Sequence, residues 1–255
     1  MAPRAGREAY LAGHIPGAVY ADLDTDLSGP ITPDSGRHPL PDVAAAEAAF
    51  SRLGIDADID VVCYDNAGGA IASRAWWLLR WLGHHNVTVL DGGLTAWLGR
   101  GLPLVTGEQD AAPRHFRGVE DSDRVLTTTE ISAGPEGTGG CLLVDARDAA
   151  RFRGEVESID TRAGHIPGTL NLPFTDCLKE DGTWLDGVSL RQMLEPLLGD
   201  DESVPWSVMC GSGVTACHLA ISGLLAGYSE PRVYIGSWSE WIRDPSRAVG
   251  SVTAM

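Results

Sequence analysis

One six-residue run occurs twice in this chain. Ala12-Gly13-His14-Ile15-Pro16-Gly17 returns as Ala163-Gly164-His165-Ile166-Pro167-Gly168, 151 positions on. Each copy leads into an extended segment, residues 18–22 in the first case and 169–173 in the second. Late in each half, Asp91-Gly92-Gly93-Leu94-Thr95-Ala96-Trp97 lines up with Ile235-Gly236-Ser237-Trp238-Ser239-Glu240-Trp241. Two copies of one domain account for these matches better than a single large domain, and 255 residues suffice for two domains of ordinary size.

Within each half, short apolar runs alternate with amphipathic ones. Runs 61–64, 87–90, 142–144, 207–209 and 232–235 are expected as strands, and 71–82, 190–198 and 214–225 as helices. Alternation of this kind predicts an α/β fold, with each domain a parallel sheet flanked by helices. The polar, glycine- and proline-bearing stretch 109–123 is expected as a linker between an N-terminal domain, 1–108, and a C-terminal one, 124–255. Strand 142–144 precedes the second copy of the repeated motif, whereas 12 residues precede Gly13 in the first. Either the true start lies upstream or the first domain lacks its first strand, which would leave a sheet edge open.

Composition narrows the partners. A formal net charge of -16 repels nucleic acid and anionic membrane surfaces. No apolar run approaches the roughly 18 residues of a membrane span, and the first residues lack the apolar stretch of a secretory signal. A cytoplasmic protein is expected. Five cysteines at irregular spacing, Cys63, Cys141, Cys177, Cys210 and Cys217, form neither a disulfide framework nor a CxxC zinc pair, so no metal site is expected.

Two strand-to-helix turns are candidate sites, because chemistry in such sheets sits at the C-terminal ends of strands. One is Tyr64-Asp65-Asn66-Ala67-Gly68-Gly69; the other is Met209-Cys210-Gly211-Ser212-Gly213-Val214-Thr215. In the second, a cysteine directly follows a buried strand, and Gly211 and Gly213 permit a tight turn into a helix. Backbone N–H groups of such a loop, together with the helix dipole, favour an anion and therefore a thiolate. Cys217 and the remaining cysteines sit in apolar runs and are expected to pack in the core.

The run Cys210-Gly211-Ser212-Gly213-Val214-Thr215 resembles the active-site loop of 3-mercaptopyruvate sulfurtransferases. The paired Gly-His-Ile-Pro-Gly segments and Gly236-Ser237-Trp238 resemble the signatures of tandem rhodaneses. This resemblance covers almost the whole chain. It implies two rhodanese α/β domains with the reactive cysteine in the C-terminal one, and the aligned turns put Asp65 where Cys210 stands. It also implies sulfur transfer without a cofactor. A small donor gives its sulfur to Cys210 as a persulfide, and a thiol acceptor, such as thioredoxin or a low-molecular-weight thiol, or cyanide then removes it.

The same resemblance nominates helpers. Arg151 is the clamp for a donor carboxylate. The family's second arginine aligns with Ser158, so Arg162, four residues further on, is the candidate substitute. Ser212, His38 and Asp24 match a serine–histidine–aspartate relay, with His38 expected from the first domain. The loop residues Gly211, Gly213, Val214 and Thr215 are the remaining binding candidates, Thr215 either capping the helix or contacting the persulfide.

Gly211 and Ser212 are neutral where thiosulfate-preferring rhodaneses carry basic residues, which favours 3-mercaptopyruvate; thiosulfate is the alternative donor. A phosphatase on this fold would need an arginine six positions after the cysteine, where Ala216 stands. The intact cysteine loop argues against a non-catalytic binding module. His14 and His165 recur in both halves and are expected to be structural. So is an Asp145–Arg147 ion pair, while His84 and His85 suit a helix end.

Overall fold

The computed structural model describes residues 5–134 and 140–251, which fall into two compact units. One comprises the described residues up to Gly29, together with Leu40–Asp121 and Glu180–Thr183. The other comprises Pro30–Pro39, Ser122–Lys179 and the described residues from Trp184 onward. Residues 30–39, which contain His38, therefore group with the second unit, although the repeat pattern had set them in the first half.

The first unit runs α1 (Ala5–Ala12), α2 (Val43–Arg52), β1 (Val61–Cys63), α3 (Ala72–Trp81), β2 (Val87–Val89) and α4 (Gly93–Gly99). Asp42 starts α2 by accepting from the Ala45 N–H (2.8 Å). Strands β1 and β2 pair in parallel, Val61 opposite Val87. Helix α3 buries Trp76, Trp77 and Trp81.

The second unit runs α5 (Thr128–Ser132), β3 (Leu142–Asp145), α6 (Ala149–Arg153), β4 (Leu170–Asn171), α7 (Gly187–Leu198), β5 (Trp206–Met209), α8 (Thr215–Leu225), β6 (Arg232–Val233) and α9 (Ser237–Trp241). Its four strands are parallel, in the order β4-β3-β5-β6. All four residues of β5 are buried, as a central strand covered on both faces requires. Leu126, Leu143, Ile166, Met209, Tyr234, Trp238 and Trp241 form one apolar cluster. Helix α7 begins earlier than the apolar pattern suggests, because Asp186 accepts from the Ser189 N–H (3.0 Å) and caps it.

The repeated motif builds the same corner twice. Ala18 N–H donates to the Ile15 carbonyl (3.0 Å) and Thr169 N–H to that of Ile166 (3.1 Å). Gly17 and Gly168 both have φ +84°, the left-handed third position of a turn that proline opens at its second. His14 stacks on Tyr10 (3.9 Å) and bonds its carbonyl through Nδ1 (2.9 Å). His165 repeats this with Phe152 (4.1 Å and 2.8 Å). Both imidazoles are held as parts of the corner.

The halves differ at the extended segment after the corner. Residues 170–171 form β4 by pairing with β3, but 18–22 form no strand. Among the described residues, the first unit has no counterpart of β3 to pair with, and its sheet is β1 and β2. Val62 on β1 is 59% exposed accordingly.

Candidate active site

Strand β5 ends at Met209, and Cys210 follows it, 2% exposed. The turn into α8 needs glycine at two positions for different reasons. Gly213 has φ +75°, and a β-carbon there would lie 2.3 Å from the Ile235 carbonyl oxygen. Gly211 makes room for a guanidinium: its β-carbon would lie 2.9 Å from Arg37 Nη2. The Ser212 N–H points back at the sulfur, with N···Sγ 3.4 Å. Thr215 is the first residue of α8 and does not cap it. Val214 holds the cap position, with no side-chain hydrogen bond, because the loop approaches the helix already in the right-handed region.

The loop is held from behind by the segment 234–239. Ser237 Oγ accepts from the Cys210 N–H (3.0 Å) and donates to the Tyr234 carbonyl (2.8 Å). The Trp238 and Ser239 N–H groups donate to the carbonyls of Cys210 and Gly211 (3.0 and 2.9 Å). Ser237 has φ +55°, a left-handed conformation that non-glycine residues rarely adopt. Its hydroxyl bond to the Cys210 amide is the return on that strain.

His38 Nδ1 lies 2.7 Å from Ser212 Oγ, so the hydroxyl and the imidazole of the expected relay are joined across 174 residues of sequence. Asp24 belongs to the first unit, where its own N–H donates to Asp22 Oδ1 (2.9 Å). The segment bearing His38 is tied down by the Arg37 N–H, which donates to Ser239 Oγ (3.0 Å), and by Arg243 Nε, which donates to the Ser35 carbonyl (3.0 Å).

Three arginines surround the loop. Arg147 is buried in a two-pronged pair with Asp145 (Nη2–Oδ2 2.7 Å), donates to the Gly164 carbonyl (2.8 Å) and stacks on Trp238 (4.7 Å). It is a structural strut, as the spacing suggested. Arg151 donates through Nε and Nη2 to Glu157 (3.3, 2.9 and 3.0 Å) and through Nη2 to Asp160 (3.1 Å). Arg37 reaches the other oxygen of Asp160 through Nη1. Arg162 takes another course: its Nη1 donates to the carbonyls of Pro245 and Arg247 (3.5 and 3.2 Å). The motif-based expectation that Arg162 joins Arg151 is not what the fold delivers, because its side chain closes the loop near residue 245 instead.

Arg37, Asp160, Glu157, Ser237 and Ser239 escaped sequence reasoning. Two of them left a trace. Arg37 immediately precedes the nominated His38, and Ser237 stands where the first half has Gly93. Burial disfavours the thiolate at three of the other cysteines. Burial pushes Cys63 up to about 12 and Cys177 up to about 11, and raises Cys141 as well.

A buried cysteine on an anion-accepting loop, next to a hydroxyl–imidazole pair and guanidinium groups, can accept and release a sulfur atom. Known proteins agree with that chemistry. The pattern of the rhodanese-like domain matches residues 4–100 and again 128–244. A Pseudomonas aeruginosa protein named "Probable 3-mercaptopyruvate sulfurtransferase" is 47% identical over 98% of this chain and 88% of its own length. The chicken protein named "Thiosulfate sulfurtransferase" is 36% identical over 93% of this chain and 81% of its own length. The crystal structure of SseA from Escherichia coli, described as a 3-mercaptopyruvate sulfotransferase, superposes with a TM-score of 0.78. It is 33% identical, over 94% of this chain and 90% of the other. The chain belongs to the rhodanese-like sulfurtransferases, with two such domains in one polypeptide.

Proposed function

We propose that the chain takes sulfur from 3-mercaptopyruvate onto Cys210 and passes it to a thiol. The observation that carries this reading is the 2.7 Å contact between Ser212 Oγ and His38 Nδ1 beside the Cys210 sulfur. Loss of sulfur from a 2-oxo acid leaves an enolate, which needs a proton; loss of sulfite from thiosulfate does not. A hydroxyl held by an imidazole serves the first reaction.

In the first step the Cys210 thiolate attacks the donor's mercapto sulfur. An S–S bond forms, the donor's C–S bond breaks, and its electron pair becomes the enolate of pyruvate. The proton given up at sulfur reaches the enolate carbon through Ser212 and His38. Backbone N–H groups of the loop from Gly211 to Thr215 favour the anionic persulfide, as the Ser212 N–H does the thiolate. In the second step an acceptor thiolate attacks the outer sulfur and Cys210 leaves as thiolate. Asp24 enters as the relay's carboxylate on the strength of the family motif. Thioredoxin or a low-molecular-weight thiol is the natural acceptor, and a reducing compartment such as the cytoplasm would keep it available.

Thiosulfate is the second reading, supported by the 36% identity to the chicken protein named "Thiosulfate sulfurtransferase". Steady-state kinetics with both donors and one acceptor decides between them. A kcat/KM at least tenfold higher for 3-mercaptopyruvate is expected; a preference for thiosulfate overturns the assignment.

A further inference from the structure

Arg37 and Arg151 are built alike. Arg37 gives Nη1, and Arg151 gives Nε and Nη2, to buried carboxylates, and each leaves a terminal nitrogen beside the cysteine loop. Asp160 bridges them, one oxygen to Arg37 Nη1 and the other to Arg151 Nη2 (3.1 Å), with its side chain 5% exposed. Glu157 holds the far edge of Arg151. What remains is Arg37 Nη2 and Arg151 Nη1, which make no hydrogen bond among the described residues. A β-carbon built on Gly211 would lie 2.9 Å from the first and 3.7 Å from the second. The two nitrogens thus converge on the backbone of the residue next to Cys210.

We infer that Arg37 Nη2 and Arg151 Nη1 are the two prongs that bind the donor's carboxylate, and that Arg37 fills the place for which Arg162 was the candidate. This rests on the reading of the donor as a 2-oxo acid. Two convergent N–H groups match the two oxygens of a carboxylate. Glu157 and Asp160 balance the two guanidiniums, so the prongs offer directed donors without net positive charge. That suits a monoanionic carboxylate better than dianionic thiosulfate. Burial lowers the Arg37 guanidinium from its ordinary value, and the nearby Cys210 anion opposes the effect, in keeping with a half-buried cation at the sulfur.

The test separates carboxylate binding from donor identity. Cys210 is alkylated with iodoacetate, which carries a carboxylate, and with iodoacetamide, which is the same size and neutral; iodide leaves in both cases. The ratio of the two second-order rate constants is compared in wild type, Arg37→Gln, Arg37→Lys and Arg162→Ala. In both Arg37 variants the ratio should fall about tenfold, the loss of one charge-assisted hydrogen bond. Arg37→Lys keeps a cation for Asp160 and removes the second prong, so it reads the site even if Arg37→Gln folds poorly. Arg162→Ala should stay within about twofold of wild type. An unchanged ratio in both Arg37 variants, or an equal fall in Arg162→Ala, overturns the inference. With 3-mercaptopyruvate, Arg37→Gln should raise KM about tenfold and leave kcat nearly unchanged, and a fall in kcat at constant KM counts against binding. If wild type forms no persulfide from 3-mercaptopyruvate, the donor reading fails while the alkylation ratio still reports on the prongs.

Discussion

The two halves of this chain make the same strand-to-helix turn and put opposite things in it. Asp65 stands two residues past the end of β1, and Cys210 directly follows β5. In both turns the N–H two residues on points back at the side chain: Ala67 to Asp65 Oδ1 (2.8 Å), and Ser212 to Cys210 Sγ (3.4 Å). Gly68 and Gly213 bend the chain with φ +66° and +75°. A carbonyl at each key residue is then caught from the later segment, Leu94 N–H on Asp65 and Trp238 N–H on Cys210 (2.9 and 3.0 Å). In the first half the anion is part of the protein. Asp65 takes further N–H bonds from Gly69, Ile71 and Ala72 (2.8, 2.7 and 2.9 Å), so its carboxylate fills the nest. In the second half the same place holds the Cys210 sulfur, which takes the Ser212 N–H.

The backing residue differs too. Gly93 (φ +51°) and Ser237 (φ +55°) have the same left-handed backbone. A β-carbon on Gly93 would lie 2.2 Å from the Asp65 carbonyl oxygen, so glycine is the unstrained choice there. The second half tolerates serine because the hydroxyl holds the Cys210 amide. One turn is unstrained at this position, and the other accepts strain to fix the Cys210 backbone.

This contrast is open to attack at several points. The largest effect belongs to Cys210→Ala, which should abolish turnover with either donor while changing unfolding free energy by less than about 1 kcal/mol, since a small buried thiol is removed. Ser212→Ala should lower kcat with 3-mercaptopyruvate about 100-fold, the usual size of a lost acid–base group, and lower it far less with thiosulfate. Asp65→Ala leaves four N–H groups without their acceptor and should cost on the order of 3 kcal/mol in urea unfolding of the first unit. A neutral result would break the idea that Asp65 is a built-in anion. The smallest effect sharpens the comparison most. Ser237→Gly relieves the backbone but drops the hydroxyl, so stability should change by less than about 1 kcal/mol. Ser237→Ala keeps the strain and loses the bond, and it should be the less stable of the two by roughly 1 kcal/mol in the same unfolding assay.

Much of this plan was legible in the amino-acid order, for identifiable reasons. The repeated corner depends on local chemistry, proline then glycine in one turn, so six residues announced it twice. The strands were visible because buried parallel strands are continuous apolar runs. Segment 18–22 is extended, as its sequence suggested, but forms no strand, because pairing is not local and among the described residues the first unit offers no counterpart of β3. The cysteine loop was visible as a strand, a glycine turn and a helix in sequence. The proposed helpers were less so, because each reaches the loop across the fold. Ser212 and His38 meet across 174 residues, and the family motif, not the local sequence, nominated them. Arg162 was nominated by its place near a motif, whereas Arg37 lies beside Gly211 because Gly36 lets its segment pack closely. A β-carbon at Gly36 would be 2.6 Å from the Gly236 carbonyl oxygen.

If Cys210 alone carries sulfur, peptide mass spectrometry after brief incubation with 3-mercaptopyruvate will show it. One added sulfur atom is expected on Cys210, placed by fragmentation that separates it from Cys217 and lost again on treatment with cyanide, with none on Cys217 or on the peptides containing Cys63, Cys141 or Cys177. Added sulfur on Cys217 or on one of those peptides, or none on Cys210 with either donor, would contradict that role for Cys210.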